Sequence, residues 1–356
     1  MNLGRFPTRY EKWRRTSALL VLLGLVAALL IAAWPAPSSP QPKVRASDAE
    51  QSDLQLYRDI IARVGAGEPY YPVAADELRQ GGYPLQPFIT FRLPTLAYAY
   101  ALIPELITSI IEGLLALSVL LVWWRRLDSH LSFWPLAIAL VLMVGGTATL
   151  VEPVTGLFHE SWAALLMALM IGLRRPGQAA GAIVAGGLAL LVRETALPMI
   201  LAMGGLALLE RRWREALGWA GVVLVFAAAL ALHAQMVATV VRPDDLASPG
   251  WNALLGVRFA LAAFAAVSSA TVLPKALAAI VIVLSLFGWA SVRTGWALRA
   301  TILLFGYGAM LALFARADTF YWALLVAPLS LTGLVFVPRA IAELVRASRG
   351  MRHSAA

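Results

Sequence analysis

Six ionisable residues fall at one depth in an otherwise apolar chain of 356 residues. At a rise of about 1.5 Å per helical residue, Glu160 lies roughly 21 Å from Arg174 and Glu194 roughly 25 Å from Arg211. On the same count His233 lies roughly 28 Å from Arg214, as Asp318 does from Arg299. The hydrocarbon layer of a bilayer is about 30 Å thick. These residues, with His159 and Arg193, therefore form one layer at or just beneath a membrane boundary. Ionisable groups are costly there and mark binding or catalytic sites, mutual pairing being the plainer use. Arg193 is suited to hold an anion such as a phosphate. His159, Glu160, Glu194 and His233 are suited to hydrogen-bond a polar ligand. Glu112 lies deeper and reads as a satisfied carboxylate between helices.

A second group of candidates lies in one long polar segment, 35–95, which carries Asp48, Glu50, Asp53, Asp59, Glu68, Asp76 and Glu77. Within it Leu54, Tyr57, Ile60, Ile61 and Val64 recur at helical spacing and stop at Gly65 and Gly67. That predicts an amphipathic helix lying parallel to the membrane, with Ser52 or Asp53 as its N-cap. Asp53 also places a carboxylate at the lip of whatever the ionisable layer encloses. Tyr70 and Tyr71 are expected as interface anchors or as rings on which a sugar stacks.

The elements that carry these groups are membrane spans. The chain is 60% hydrophobic and 14% charged, with a mean hydropathy of +0.75, against about 25% charged for soluble domains. The fold class is thus an all-α polytopic membrane protein, a single integral-membrane domain over 1–356. Apolar runs predict about ten spans, at 17–34, 96–123, 132–151, 158–173, 178–192, 196–209, 216–237, 274–291, 298–315 and 319–338. A Pro/Ser linker occupies 35–42. The segment 238–273 reads as a second extracytoplasmic piece whose apolar part lies on the outer surface. The spans at 178–192 and 196–209 are short, and Arg193-Glu194 at their junction reads as a turn sunk into an outward-open cavity.

The net charge of +9 gathers at one set of span ends, including Arg5, Lys12, Arg125, Arg126, Arg174, Arg211, Arg293, Arg299 and Arg352. This is the positive-inside pattern, which places both termini in the cytoplasm and the long loop outside. It calls for membrane lipid as partner and not for nucleic acid. The expected location is a bacterial-type inner membrane. With no cysteine, disulfide, thiolate and cysteine-ligated metal chemistry are excluded.

The combination resembles the GT-C superfamily of membrane glycosyltransferases. It rests on a basic N-terminus and first span, then an outer loop opening Asp53-Leu-Gln-Leu-Tyr57. Gly67-Glu-Pro-Tyr-Tyr71 and Arg92-Leu-Pro94 before the second span complete it. The resemblance covers the first third of the chain well and the rest by hydropathy. It implies transfer of a sugar from a polyprenyl-phosphate donor to an acceptor on the extracytoplasmic face, with inversion. Asp53 is then the general base, Arg193 the leading phosphate ligand, and Arg92, Lys275 and Arg316 further phosphate ligands. His159, Glu160, Glu194, His233, Tyr57, Tyr70 and Tyr71 line the sugar or acceptor site. No cofactor is expected besides the lipid-linked sugar, and no metal, since the loop lacks an Asp-x-Asp pair; Asp244-Asp245 is the one Asp-Asp pair in the chain. A transporter or flippase for a lipid-linked glycan or other anion, and a non-catalytic assembly factor, are the alternatives.

Overall fold

The computed structural model describes residues 6–11, 13–34, 48–151 and 155–350. The linker at 35–42 and the basic residues Arg5, Lys12 and Arg352 lie outside them. Among the described residues there are only helices, turns and three isolated bridges. Six helical stretches are long and apolar enough to cross a bilayer, and five shorter apolar helices accompany them. The protein is a multi-pass α-helical membrane protein.

Helix α1 (Arg15–Ala33) buries only Ala18 and Ala32, because it is apolar all round and touches the bundle along one narrow stripe, against neighbours named below. Two helices of the polar loop follow, α2 (Asp48–Gly65) and α3 (Tyr70–Gln80). The helix at α2 begins five residues before Asp53, so neither Ser52 nor Asp53 caps it. Its apolar face is not left for lipid either. Leu56, Ile60 and Val64 pack with Val73, Ala74 and Leu78 of α3 into a small core of their own. Eclipsed against protein, that face contributes to folding at about 25 cal/mol per Å² of apolar surface, as it would against lipid.

The expected span 96–123 is broken. Helix α4 (Thr95–Leu102) ends at Ile103, and Pro104 opens α5 (Glu105–Leu127), since a proline ring excludes the helical conformation of the residue before it. Then come α6 (Phe133–Thr147), α7 (His159–Leu173), α8 (Ala180–Val192), α9 (Leu197–Leu209) and α10 (Trp213–Ala238). In α7 twelve of fifteen residues are buried, which makes it the central helix, in accord with its lack of any polar face. It packs against α5 and α8. Trp123 of α5 donates to the Ala168 carbonyl at 3.0 Å.

The segment after α10 corrects the expected surface helix. Helix α11 (Gly256–Ala266) inserts Phe259 and Phe264 fully into the interior. It packs there against α12 (Lys275–Ser291) and α13 (Gly295–Phe314). The last expected span is irregular: a 3₁₀ stretch, Ala317–Val326, kinks at Thr319, and α14 (Ala327–Ser330) and a second 3₁₀ turn, Thr332–Phe336, lead to α15 (Val337–Ser348). Helix α1 lies on α12 and α15. Close backbone approach admits the irregular segment. A Cβ on Gly288 would stand 1.9 Å from the Gly333 carbonyl oxygen, so both positions require glycine.

Candidate functional site

The outer helices α2 and α3, the turn between α8 and α9, and the 3₁₀ stretch from Ala317 enclose a cavity of about 680 Å³. Its apolar wall comes from Leu56, Ile60, Leu78, Leu96, Met310 and Phe314, and its polar floor from His159, Arg193, Glu194 and Asp318 of the predicted layer. The cavity brings together Asp53, Tyr57, Tyr70, Arg92, His159, Arg193, Glu194 and Arg316.

Arg193 ends α8 with an extended backbone, φ −145° and ψ 113°, and so turns its side chain back into the protein. Its Nε donates to Glu160 Oε1 at 2.6 Å and its Nη1 to Glu194. Glu160, in the first turn of α7, is 1% exposed and stands behind Arg193, outside the cavity lining. Burying this charge is tolerable only because two carboxylates meet it. Arg92, in the extended run before α4, is differently placed. Its Nε donates to the Tyr57 hydroxyl at 3.3 Å, and its Nη1 lies 3.7 Å from Glu194. The Tyr70 hydroxyl donates to the Arg92 carbonyl at 2.8 Å and fixes the backbone. Neither Nη of Arg92 makes a hydrogen bond among the described residues, which leaves Arg92 the reachable cation. Arg316 forms a two-bond pair with Asp318, at 3.1 and 2.6 Å.

Asp53 faces the cavity from α2 and accepts a hydrogen bond from the Tyr83 hydroxyl. Gly82, at φ +68°, makes the turn that aims Tyr83, and a Cβ on Gly81 would meet the Tyr83 ring at 2.7 Å. Burial pushes the Asp53 carboxyl above the ordinary aspartate value. The Tyr83 hydroxyl and Arg92 oppose that shift, and the Asp318 and Glu160 carboxylates add to it. A base with a raised pKa is a stronger acceptor of a hydroxyl proton.

His159, the first residue of α7, is 5% exposed and stacks near Tyr57, ring centroids 5.4 Å apart. Among the described residues both its ring nitrogens are buried without a partner, as are Thr90 Oγ1, Thr195 Oγ1 and Trp322 Nε1. All four residues line the cavity. A native interior leaves few polar atoms unsatisfied, and each calls for a reason. Here the reason is a shared one, a cavity whose polar atoms await a ligand.

Three predicted residues stand elsewhere. His233 of α10 and Tyr71 of α3 pair with each other, hydroxyl to Nδ1 at 3.1 Å, outside the cavity lining. Lys275 is exposed at the start of α12, away from the cavity. For His233, depth counting gives height in the membrane but not direction around a helix. Tyr83, Thr195, Trp251, Tyr321 and Trp322 line the cavity unforeseen; only the Gly81-Gly82 turn before Tyr83 and the position of Tyr321 beside Asp318 were signals. Asp245 is engaged: Arg79 donates to both its oxygens, at 2.7 and 2.8 Å, and pulls its carboxyl down to about 2. Among the described residues no three His, Asp or Glu side chains gather as a metal site.

Glu112 is buried, and its Oε1 has no partner among the described residues. It lies against Gly156 beside Tyr100, apart from the cavity. The basic residues Arg126, Arg174 and Arg299 meet at the end of the bundle opposite the cavity. No protein-family model, curated protein or solved structure matches the chain.

Proposed function

We propose that the protein is a GT-C-type glycosyltransferase that moves a sugar from a polyprenyl-phosphate donor to an acceptor hydroxyl at the extracytoplasmic surface. The observation that carries this reading is the set of partnerless polar atoms of Thr90, His159, Thr195 and Trp322 around a cavity that also holds Asp53 and Arg92. A sugar supplies many hydroxyls that donate and accept, and aromatic rings such as Tyr57 suit its apolar face. The apolar wall suits the first units of a lipid chain.

In this reading Asp53 takes the proton of the acceptor hydroxyl as its oxygen attacks the anomeric carbon. The bond to the phosphate oxygen breaks on the opposite face, so the centre inverts. Arg92 holds the departing phosphate and stabilises its charge. That role falls to Arg92 ahead of Arg193, whose Nε and Nη1 are committed to Glu160 and Glu194 and whose side chain is 2% exposed. Arg193 instead positions Glu194 beside Arg92. The basic helix ends lie opposite the cavity, so the positive-inside rule turns the cavity outward and leaves both termini in the cytoplasm of a plasma membrane.

The reading is tested by incubating the purified protein with radiolabelled polyprenyl-phosphate sugars and envelope extract. Label should pass to an acceptor with wild type and not with Asp53→Asn. A second reading is favoured by one feature, the charged break between the short helices α8 and α9, which transporters also use. Binding of the labelled donor and its movement across vesicles, without cleavage, would select transport.

A further inference from the structure

We infer that Tyr57 is a ligand of the donor phosphate, its hydroxyl donating to the oxygen that departs with the phosphate. The inference rests on the transferase reading and deepens it, since the resemblance assigns Tyr57 to the sugar or acceptor. The Tyr57 oxygen accepts from Arg92 Nε at 3.3 Å. A tyrosine hydroxyl donates as well as accepts, and this one donates to nothing among the described residues. Its neighbours are in the same condition. Neither Nη of Arg92 makes a hydrogen bond among the described residues, and its ion-pair partner, Glu194, is 3.7 Å away. His159, whose ring stands 5.4 Å from the Tyr57 ring, has both nitrogens buried without a partner among those residues. All three residues line the cavity, and the Arg92 side chain is 18% exposed, so a ligand there reaches them. Two donor groups of Arg92, the hydroxyl of Tyr57 and one N–H of a neutral His159 therefore stand together without an acceptor. A sugar hydroxyl brings a single oxygen to such a group. A phosphate brings three strong acceptor oxygens and the charge that Arg92 calls for.

The helix that carries Tyr57 also carries the base. Asp53 and Tyr57 are four residues apart on α2 and so share a face, about 6 Å apart along the helix axis. In an in-line displacement the attacking oxygen approaches the anomeric carbon from about 3–3.5 Å. The departing oxygen lies one bond beyond that carbon, on the far side. The spacing of the two side chains is thus comparable to the length of the reaction axis. Both are held in place: Asp53 by the Tyr83 hydroxyl, and Tyr57 by Arg92, whose carbonyl accepts from Tyr70 at 2.8 Å. As the acceptor oxygen bonds to the anomeric carbon, its proton passes to Asp53. The bond from that carbon to the phosphate oxygen breaks, and both its electrons stay on the phosphate. The Tyr57 hydrogen bond strengthens toward that gathering charge, while its proton stays on the tyrosine.

The experiment measures binding of farnesyl phosphate, with farnesol as the uncharged control, to the full-length protein in dodecyl maltoside. Wild type should prefer the phosphate. Tyr57→Phe keeps the ring and should weaken farnesyl phosphate about tenfold, the weight of one hydrogen bond to a charged group. Farnesol should bind that variant as it binds wild type. Equal wild-type affinities for the two ligands, an unchanged affinity of Tyr57→Phe for farnesyl phosphate, or an equal loss for both ligands overturns the assignment. So does a loss confined to donors that carry a sugar, which would return Tyr57 to the sugar site. If Tyr57→Phe does not fold, Tyr57→3-fluorotyrosine keeps the hydroxyl and gives a fluorine resonance beside it. Farnesyl phosphate should shift that resonance further than farnesol does, and identical shifts overturn the assignment. The transferase reading fails separately. Farnesyl phosphate bound through Tyr57, with no label passed to any acceptor, removes that reading and keeps the phosphate site. Transfer by Tyr57→Phe at the wild-type rate and donor affinity keeps the reading and removes the phosphate role.

Discussion

Arg193 is gripped by Glu160 and Glu194, whereas Arg92 touches Glu194 only at 3.7 Å; the two arginines of one cluster therefore respond differently to removal. Arg193→Ala leaves Glu160 as an uncompensated buried charge and should cost about 3–5 kcal/mol of stability, read as a lower unfolding midpoint and yield. Arg92→Ala should fold normally and bind the labelled donor at least about tenfold more weakly; unchanged binding removes Arg92 from the donor site. Asp53→Asn should lower transfer by about 10²–10⁴-fold with donor binding retained. Because the Asp53 carboxyl titrates above the ordinary aspartate value, its basic form is present above that raised value. Transfer should therefore fall as pH drops through it. The Tyr83 hydrogen bond lowers that value, so Tyr83→Phe should move the acid limb of the pH profile to higher pH; a limb at the same pH would separate Tyr83 from the base. Counting along helices was enough to bring Arg193, Glu194, Glu160 and His159 together, since depth alone unites them. It failed for His233, because the face a helix presents depends on neighbours that the local sequence does not name.

At the scale of elements, periodicity found α2 and its apolar residues but not what covers them. An amphipathic face reads alike whether lipid or protein will meet it, and here α3 and α4 do. The short spans flanking Arg193 were legible because their lengths fall below what a bilayer needs. The break at Pro104 was overlooked because the apolar run continues through it. The irregular end of the last span was also hidden, since its second 3₁₀ turn, Thr332–Phe336, depends on close approach between Gly333 and Gly288 of α12. Gly288→Ala tests that dependence. Its methyl group would enter the Gly333 carbonyl, and overpacking of this kind costs about 1–3 kcal/mol or more. The unfolding midpoint should drop.

For the whole molecule, hydropathy set the class and the basic ends set a direction. A cysteine at exposed Ala66, the only one in a chain that has none, should react with an impermeant maleimide added outside intact cells. Protection there, with labelling only after lysis, would invert the protein and remove the cavity from the extracytoplasmic side. The number of crossings was less legible, because helices such as α7 and α11 are apolar for burial in protein and carry the same composition as helices that face lipid.

The outer cap is stitched from two distant stretches of chain. Arg79 grips Asp245 and the Val240 carbonyl, the latter at 2.6 Å, and the N–H groups of Leu85 and Ser248 bond across to Leu246 and Gln86 at 2.8 and 2.7 Å. During synthesis, then, α2 and α3 are made long before their fastening exists. Some 166 residues separate Arg79 from Asp245, and at about 5–20 residues per second that is a wait of roughly 8–33 s. The cap spends this interval as an unlatched hairpin whose apolar core is exposed to chaperones and proteases. Any premature stop before Asp245 leaves it so permanently, which makes full-length translation a condition for a protected site.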